Sequence, residues 1–208
     1  VTDASSVVFD ETAPTGYTAL LDQTVIYSGN QTAMSFTFGA AEPGADYAYS
    51  IDDTNGGTAP VTGSGAIIGA TDQITGIDVS TLDDDTLTLT VYLTDCAGNQ
   101  GADATDTVSK DATLPTLSTV NIVSNNANTS SAKVGDTVTV SFTSSEALSG
   151  HPTVTIDGNA ADAVNDLGSN SYSATRLMLP GDSEATVTFT IDFTDAAGNS
   201  GTQVIAVT

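Results

Sequence analysis

The chain has 208 residues, which is enough for one large domain or for two domains of about 100 residues each. Three basic residues against 26 acidic ones give a net charge of −23. A field of this sign repels nucleic acids and anionic lipid surfaces and excludes them as partners. Only four of the acids are glutamate. The remaining acids are aspartate, which favours turns over helices, so the composition indicates an all-β protein.

Residues 1–9 are predicted to be the closing strand of a preceding module, because they stand before Asp10 as Ala104–Lys110 stands before Asp111. The first domain is predicted over residues 10–110. Alternating apolar and polar residues predict its strands. These are Tyr17–Ile26, Thr32–Phe38, Asp46–Ile51, Val61–Ile68, Gln73–Val79, Thr86–Thr94 and Ala102–Ser109.

The second domain is predicted over residues 111–208 and repeats the same plan. Its strands are predicted at Leu117–Val123, Thr137–Thr143, Thr153–Ile156, Tyr172–Leu179, Thr186–Phe193 and Gln203–Val207, with a weak strand in Ala160–Val164. Turn signals at intervals of roughly 8–14 residues are typical of an antiparallel β-sandwich. Each domain is therefore predicted to be a sandwich of about seven strands.

Three features recur at an offset of about 100 residues, which indicates tandem domains. An aspartate stands four residues before a proline at Asp10 and again at Asp111. The motif Thr-Asp-x-Ala-Gly-Asn-x-Gly occurs at residues 94–101 and 194–201. A glutamate follows the second strand of each domain. Since proline fixes φ and lacks an N–H, the segment at Asp111 is predicted to be a short, stiff connection.

Strand direction alternates in such a sandwich, so the amino terminus, the second-to-third loop and the sixth-to-seventh loop meet at one pole. In the second domain this pole collects Asp111, Glu146, Asp195 and Asn199. A loop of the first domain that includes Asp84 is predicted to face it. Carboxylates and carbonyls from a connection and nearby loops suit Ca²⁺, which takes 6–8 oxygen ligands. The sequence therefore predicts a calcium site at this connection.

The same pole of the first domain collects a second set of candidate ligands, placed where a preceding module would dock. These are Asp10, Glu42, Asp95 and Asn99. An alternative stands beside the metal hypothesis for Asp95 and Asp195. In a hairpin of this sequence, the aspartate can cap nearby N–H groups while the glycine, such as Gly198, takes a left-handed conformation.

The connection motif, the Thr-Asp-x-Ala-Gly-Asn-x-Gly hairpin and the run Ala132–Val138 resemble the tandem immunoglobulin-like repeats of large bacterial surface proteins and adhesins. The resemblance covers nearly the whole chain. It implies two immunoglobulin-like β-sandwiches, a secreted, cell-surface location and calcium between modules. It also implies that the partners include neighbouring repeats of the same chain. Since the sequence begins in the middle of a motif, we expect it to be part of a longer protein.

Enzymatic chemistry is not expected. The chain has one histidine, His151, and one cysteine, Cys96, so a catalytic base beside a nucleophile and a zinc site both lack residues. No stretch is apolar enough for membrane insertion. The sequence leaves two alternatives to a spacer or adhesion module. One is a module that binds a cell-surface glycan or protein, with Tyr47, Tyr49 and Tyr172 as candidates, and the other is an accessory segment of a secreted enzyme.

Overall fold

A computed structural model describes residue 7 and residues 9–208, and it consists of two compact units that divide between Ala112 and Thr113. The described part of the chain contains fourteen strands and no helix, so the predicted all-β fold class is confirmed. The closing strand predicted at residues 1–9 falls mainly outside the described residues. Val7 and Phe9, which are described, are exposed and belong to no strand.

The first domain is a sandwich of two antiparallel sheets. One sheet has the order β1-β2-β5 and the other the order β4-β3-β6-β7. The strands are β1 (Thr18–Leu21), β2 (Met34–Gly39), β3 (Asp46–Asp53), β4 (Val61–Ala66), β5 (Gln73–Ile77), β6 (Thr86–Thr94) and β7 (Ala104–Ser109).

The core of the first domain lies between these sheets. Every second residue of β6, from Leu87 to Leu93, is fully buried, while the threonines between them point away from the core. Across the core, the rings of Phe36 and Phe38 on β2 meet edge to face with centroids 5.3 Å apart. The alternation that predicted β6 therefore marks the face that packs.

The second domain is also a sandwich of two antiparallel sheets, of order β12-β13-β9-β8 and β11-β10-β14, but here the first two strands, β8 and β9, belong to the four-stranded sheet. Its core includes Val140, Phe142, Ile156 and Ile191. The strands are β8 (Leu117–Ser124), β9 (Thr137–Ser144), β10 (Thr153–Ile156), β11 (Asn159–Ala160), β12 (Ala163–Gly168), β13 (Ser171–Leu177) and β14 (Phe189–Asp192).

Three strand predictions need correction. The run Tyr17–Ile26 is not one strand, because β1 ends at Leu21 and Ile26 pairs in parallel with Lys110. The Asp22 carboxylate accepts hydrogen bonds from Ser35, Thr37 and Gln73 at the break. The predicted strand Gln203–Val207 is reduced to a bridge between Val204 and Ile191.

The weak strand predicted in Ala160–Val164 proves to be two, β11 and β12, which belong to different sheets. The chain switches sheets between them, and the Asp162 carboxylate accepts a hydrogen bond from the Leu177 N–H there. Residues at a sheet switch alternate in no single pattern, so periodicity could not separate the two strands.

The backbone that leads out of the first domain is held by hydrogen bonds within that domain. The Ile26 N–H donates to the Ser109 carbonyl, and the Asp111 N–H donates to the Ile26 carbonyl, both at 2.9 Å. The Lys110 N–H donates to the Asp85 carbonyl at 2.7 Å. The backbone at Asp111 is therefore held against the first domain by main-chain hydrogen bonds and is not a free linker.

Candidate metal site

Asp195 lies at the start of the hairpin turn that follows β14 and is completely buried. Its Oδ1 accepts the N–H groups of Gly198 and Asn199 at 2.7 and 2.8 Å, and its Oδ2 accepts the Asn199 amide at 2.8 Å. A carboxylate has about four acceptor positions, so these bonds leave about one, on Oδ2. The turn thus presents a buried, oriented carboxylate that retains room for one more ligand contact.

Asp95 forms the equivalent turn in the first domain. Its Oδ1 accepts the N–H groups of Ala97 and Asn99, and its Oδ2 accepts the Asn99 amide, all at 2.8 Å. The hydrogen bond from the Asn99 side chain, reinforced by the backbone N–H groups, lowers the pKa of Asp95 despite its burial. The turn role predicted as an alternative is therefore present in both domains.

Two positions of the repeated motif require glycine, each for a different steric reason. Gly198 has φ +108°, in the left-handed region that the sequence predicted for it, and a side chain would be strained there. Gly201 lies against the core, because a β-carbon at this position would overlap the ring of Phe193. The motif thus encodes a turn and a close backbone approach, whether or not a cation binds.

Two of the predicted ligands come together within the second domain. One carboxylate oxygen of Glu146 and one of Asp195 lie within 4.8 Å of each other. Glu146 is half-buried and Asp195 is buried. Asp111 is half-buried and belongs to the first of the two compact units, so its role as a third ligand stays a prediction. Together the three carboxylates are the group that could hold a metal ion.

The remaining predicted ligands have other positions. Asn199 is 1% exposed and orients Asp195 through its amide. Asp84 forms an ion pair with Lys110 Nζ at 2.8 Å. In the first domain, Asp10 and Glu42 are exposed, and the Asp10 carbonyl accepts the Asn99 amide at 3.1 Å. The ligand roles of these residues stay predictions.

The donor atoms of the three-carboxylate group fit calcium better than a softer metal. The group contains carboxylate oxygens alone, whereas zinc and copper sites favour imidazole and thiolate ligands. Ca²⁺ accepts oxygen ligands in a flexible geometry and completes its shell with carbonyls and water. The chemistry of the group therefore matches the metal that the sequence predicted.

A buried ion pair in the second domain was missed by the sequence analysis. Arg176 on β13 is 5% exposed, and its two terminal nitrogens donate to both oxygens of Asp182 at 2.7 and 3.0 Å. The guanidinium lowers the pKa of Asp182, and the Leu179 N–H adds to this effect. The signal in the sequence was a basic residue on the face of a strand whose other side chains point into the core, which indicates a buried charge that needs an acidic partner.

The free energy of unfolding is expected to decrease as the pH falls below about 4, because protonation of Asp182 weakens its ion pair with Arg176. The pKa of Asp182 in the folded state is lower than that of an unperturbed aspartate. The folded state therefore binds fewer protons than the unfolded state, and the stability is present above the unfolded pKa and lost as the pH falls. Urea unfolding of the wild type and of Asp182→Asn from pH 7 to pH 3 measures this effect.

The Asp182→Asn variant controls for the other acids, since protonating them also relieves repulsion and acts in the opposite direction. The variant is expected to be less stable at pH 7 and to lose less stability on acidification than the wild type. Parallel pH profiles for the two proteins would contradict the assignment.

The single histidine and the single cysteine are both exposed. His151 lines a shallow groove of about 250 Å³ with Pro152, Thr194 and Ser200. The Cys96 Sγ contacts the Gly44 carbonyl at 3.4 Å. The described chain contains no helix that is long and apolar enough to cross a membrane.

No protein-family model and no curated protein sequence matches the chain. Several solved structures, in contrast, are similar to it in fold. One is a bacterial ice-binding adhesin of 1.5 MDa, described for its retention at a host cell surface, with a TM-score of 0.51 and 17% identity over 95% of this chain and 65% of that one. The likeness is one of fold. It confirms the fold-level resemblance to tandem adhesin repeats that the motifs predicted.

Two further structures are similar at lower scores. A tetra-tandem repeat from the extending region of a large adhesion protein has a TM-score of 0.39 and 21% identity over 92% of this chain and 48% of that one. The fibronectin(III)-like modules of Clostridium thermocellum CbhA have a TM-score of 0.42 and 12% identity, covering 90% of both chains. This chain thus spans about half of the tetra-tandem repeat and 65% of the ice-binding adhesin chain.

Proposed function

We propose that these two domains are non-enzymatic spacer or adhesion modules of a bacterial cell-surface protein, with calcium bound by Asp111, Glu146 and Asp195. The observation that carries the proposal is the close approach of the Glu146 and Asp195 carboxylates, whose oxygens lie within 4.8 Å of each other. Such a group is electrostatically costly unless a cation neutralises it, and the cost falls most heavily on a carboxylate as buried as Asp195.

The protein has few cations of its own for this task. It has three basic residues in all, and two of them form ion pairs elsewhere, Lys110 with Asp84 and Arg176 with Asp182. A divalent ion would convert the repulsion among the three carboxylates into attraction. This is the physical reason why a metal, rather than a lysine or an arginine, is the proposed partner of the group.

The bound ion would have a mechanical effect. The Asp111 backbone is hydrogen-bonded to Ile26 of the first domain, whereas Asp195 is held by its own turn in the second domain. A cation that binds both carboxylates would stiffen the connection. A stiff connection suits a spacer, because it keeps successive modules extended. The similarity in fold to adhesin repeats supports this role and the proposed location outside the cell.

We extend the proposal to the first domain, where Asp10, Glu42, Asp95 and Asn99 would serve a preceding repeat. Asp95 has the same turn geometry as Asp195 and is already oriented. The partners of the protein are accordingly neighbouring repeats of the same chain.

Calcium at about 2 mM is expected to stabilise the second domain by about 0.6–1.8 kcal/mol, given dissociation constants of about 10⁻⁴–10⁻³ M for extracellular calcium modules. This corresponds to an increase in Tm of about 3–14 °C for a domain of this size. The measurement is thermal unfolding in chelator and in calcium, with small-angle scattering to follow the stiffness of the connection.

Glu146→Gln should abolish the calcium response, since it removes one charge from the group. Glu184→Gln is the matched control, because Glu184 is an exposed acid of the second domain that is not among the proposed ligands. An identical Tm and an identical scattering profile in chelator and in calcium would count against the calcium proposal. A calcium response that survives Glu146→Gln would place the ion elsewhere.

A further inference from the structure

The outer face of the larger sheet in the first domain contains an open groove of about 580 Å³. The strand register places its lining residues in rows across the sheet. Ser64, Ala48 and Tyr92 lie opposite one another on β4, β3 and β6. Asp103, just before β7, continues this row, since the next residue, Ala104, pairs with Val91.

A second row runs parallel to the first, from Thr62 through Ser50 to Thr90. The buried residues of β6, such as Val91, face the opposite side, toward the core. The central strand carries only the small side chains Ala48 and Ser50 in this region, so the floor of the groove is low. Its volume lies within the range of about 300–1,000 Å³ that is usual for small-molecule sites.

We propose that this groove binds an uncharged pyranose ring of a glycan, with Tyr92 as the stacking platform. Tyr92 is half-buried, and its neighbour across the strand pair is the small Ala48, so a sugar can approach one face of its ring. Aromatic rings bind the apolar C–H face of a sugar while hydroxyl groups around them satisfy the sugar's own hydroxyls.

The polar lining fits such a ligand. The hydroxyls of Thr62, Ser64 and Thr90 can both donate and accept hydrogen bonds. The amide of Gln100 and the carboxylate of Asp103 complete the lining beside Tyr92. A carboxylate accepts two adjacent sugar hydroxyls well, since hydrogen bonds to a charged acceptor are stronger than those to a neutral one.

Charge decides which kind of sugar fits. The residues that line the groove include an aspartate and no basic residue. The protein as a whole carries a net charge of −23. Uronic acids, sialic acids and sulfated sugars would be repelled by this field, so the occupant is an uncharged ring.

The tyrosines considered from the sequence are unsuitable. Tyr47 and Tyr49 pack against Phe38 and Phe36, with centroids 5.7 and 5.5 Å apart, and Tyr172 stacks on Phe142. Tyr172 is part of the second core, and Tyr47 and Tyr49 are half-buried and pack against the first core. Tyr49 also contributes to the lining of the groove, but its ring packs on Phe36.

The second domain lacks the platform. At the position that corresponds to Tyr92 it has Asp192, whose carboxylate accepts the Gln203 amide at 2.9 and 3.0 Å. The proposed sugar site therefore belongs to the first domain alone and does not depend on calcium.

Saturation-transfer NMR in chelator tests the proposal with four probes: the methyl glycosides of glucose, mannose, galactose and N-acetylglucosamine. We expect saturation transfer to at least one of them, and none to methyl glucuronoside. Tyr92→Ala should weaken binding about tenfold or more, and Tyr92→Phe should retain it because the ring remains. Thr88→Ala is the matched control, since Thr88 lies on the same strand outside the groove.

If Tyr92→Ala fails to fold by circular dichroism, Asp103→Ala replaces it, because Asp103 is exposed and lies outside the strands. This variant should also weaken binding about tenfold. Absence of transfer to all four probes overturns the proposal. Unchanged binding in the alanine variant, or equal binding of the glucuronoside, overturns it as well.

Discussion

Replacing Asp195 with alanine is expected to lower the free energy of unfolding of the second domain by about 3–5 kcal/mol in the presence of chelator. The carboxylate is completely buried and accepts the N–H groups of Gly198 and Asn199 and the Asn199 amide. Alanine would remove this acceptor from the backbone N–H and the side-chain amide of Asn199, which is 1% exposed, and each such loss costs about 1–3 kcal/mol. The Gly198 N–H is exposed, so water can replace its lost bond.

Urea unfolding in chelator measures this effect, with Asp95→Ala as the matched control. Asp95 accepts the equivalent backbone and amide hydrogen bonds from Asn99 and a further one from the Ala97 N–H, but it is 8% exposed, so water can replace part of what is lost. The control should therefore destabilise its domain less. A loss below about 1 kcal/mol for Asp195→Ala would contradict the structural role of the turn.

The same pair of variants separates the turn from the proposed metal site. Asp195→Ala should also remove the calcium response, whereas Asp95→Ala should leave it intact. A calcium response that persists in Asp195→Ala would contradict the ligand role while leaving the turn role in place.

Replacing Phe36 with alanine is expected to destabilise the first domain by about 3–5 kcal/mol. Phe36 is fully buried and meets Phe38 and Tyr49 edge to face, with centroids 5.3 and 5.5 Å apart. Alanine would remove these contacts and leave a cavity in the centre of the core. In chelator, the unfolding of the second domain should be unchanged, because each domain has its own core.

Differential scanning calorimetry in chelator measures this, with Phe142→Ala as the reciprocal variant. Phe142 is 2% exposed and stacks on Tyr172 in the second core. Each variant should lower one transition and leave the other in place. If either substitution moved both transitions equally, the predicted division into domains 10–110 and 111–208 would be wrong.

The elements that the sequence predicted well are those in which local pattern and tertiary packing agree. β6 has its predicted bounds, Thr86–Thr94, because every second side chain faces the core along its whole length. β10 likewise has its predicted bounds, Thr153–Ile156. The predictions were wrong where one run of chain divides between two sheets, as at Tyr17–Ile26, because periodicity carries no information about the pairing partner.

The candidate site was predictable for a topological reason. Alternating strand direction predicts that Glu146 and Asp195 share one pole of the second domain, and their carboxylates lie within 4.8 Å although the two residues are far apart in sequence. The ligand role of Asp111 stays a prediction. The contacts that compete for such acids were not predictable. Asp84, a predicted ligand, forms an ion pair with Lys110, and Asp182 forms one with Arg176. These pairings depend on where long side chains reach across loops.

The sequence by itself determined the all-β fold, most of the strands, the repeated turn and the acidic character of the chain. It did so because strand alternation, turn glycines and net charge are local or additive properties of a chain. Only the tertiary structure decided that the Glu146 and Asp195 carboxylates lie within 4.8 Å of each other, and that Tyr92 lies on an open face while Tyr47 and Tyr49 pack against the core. Such distances and exposures arise from sheet register and packing, which join residues that no local pattern links.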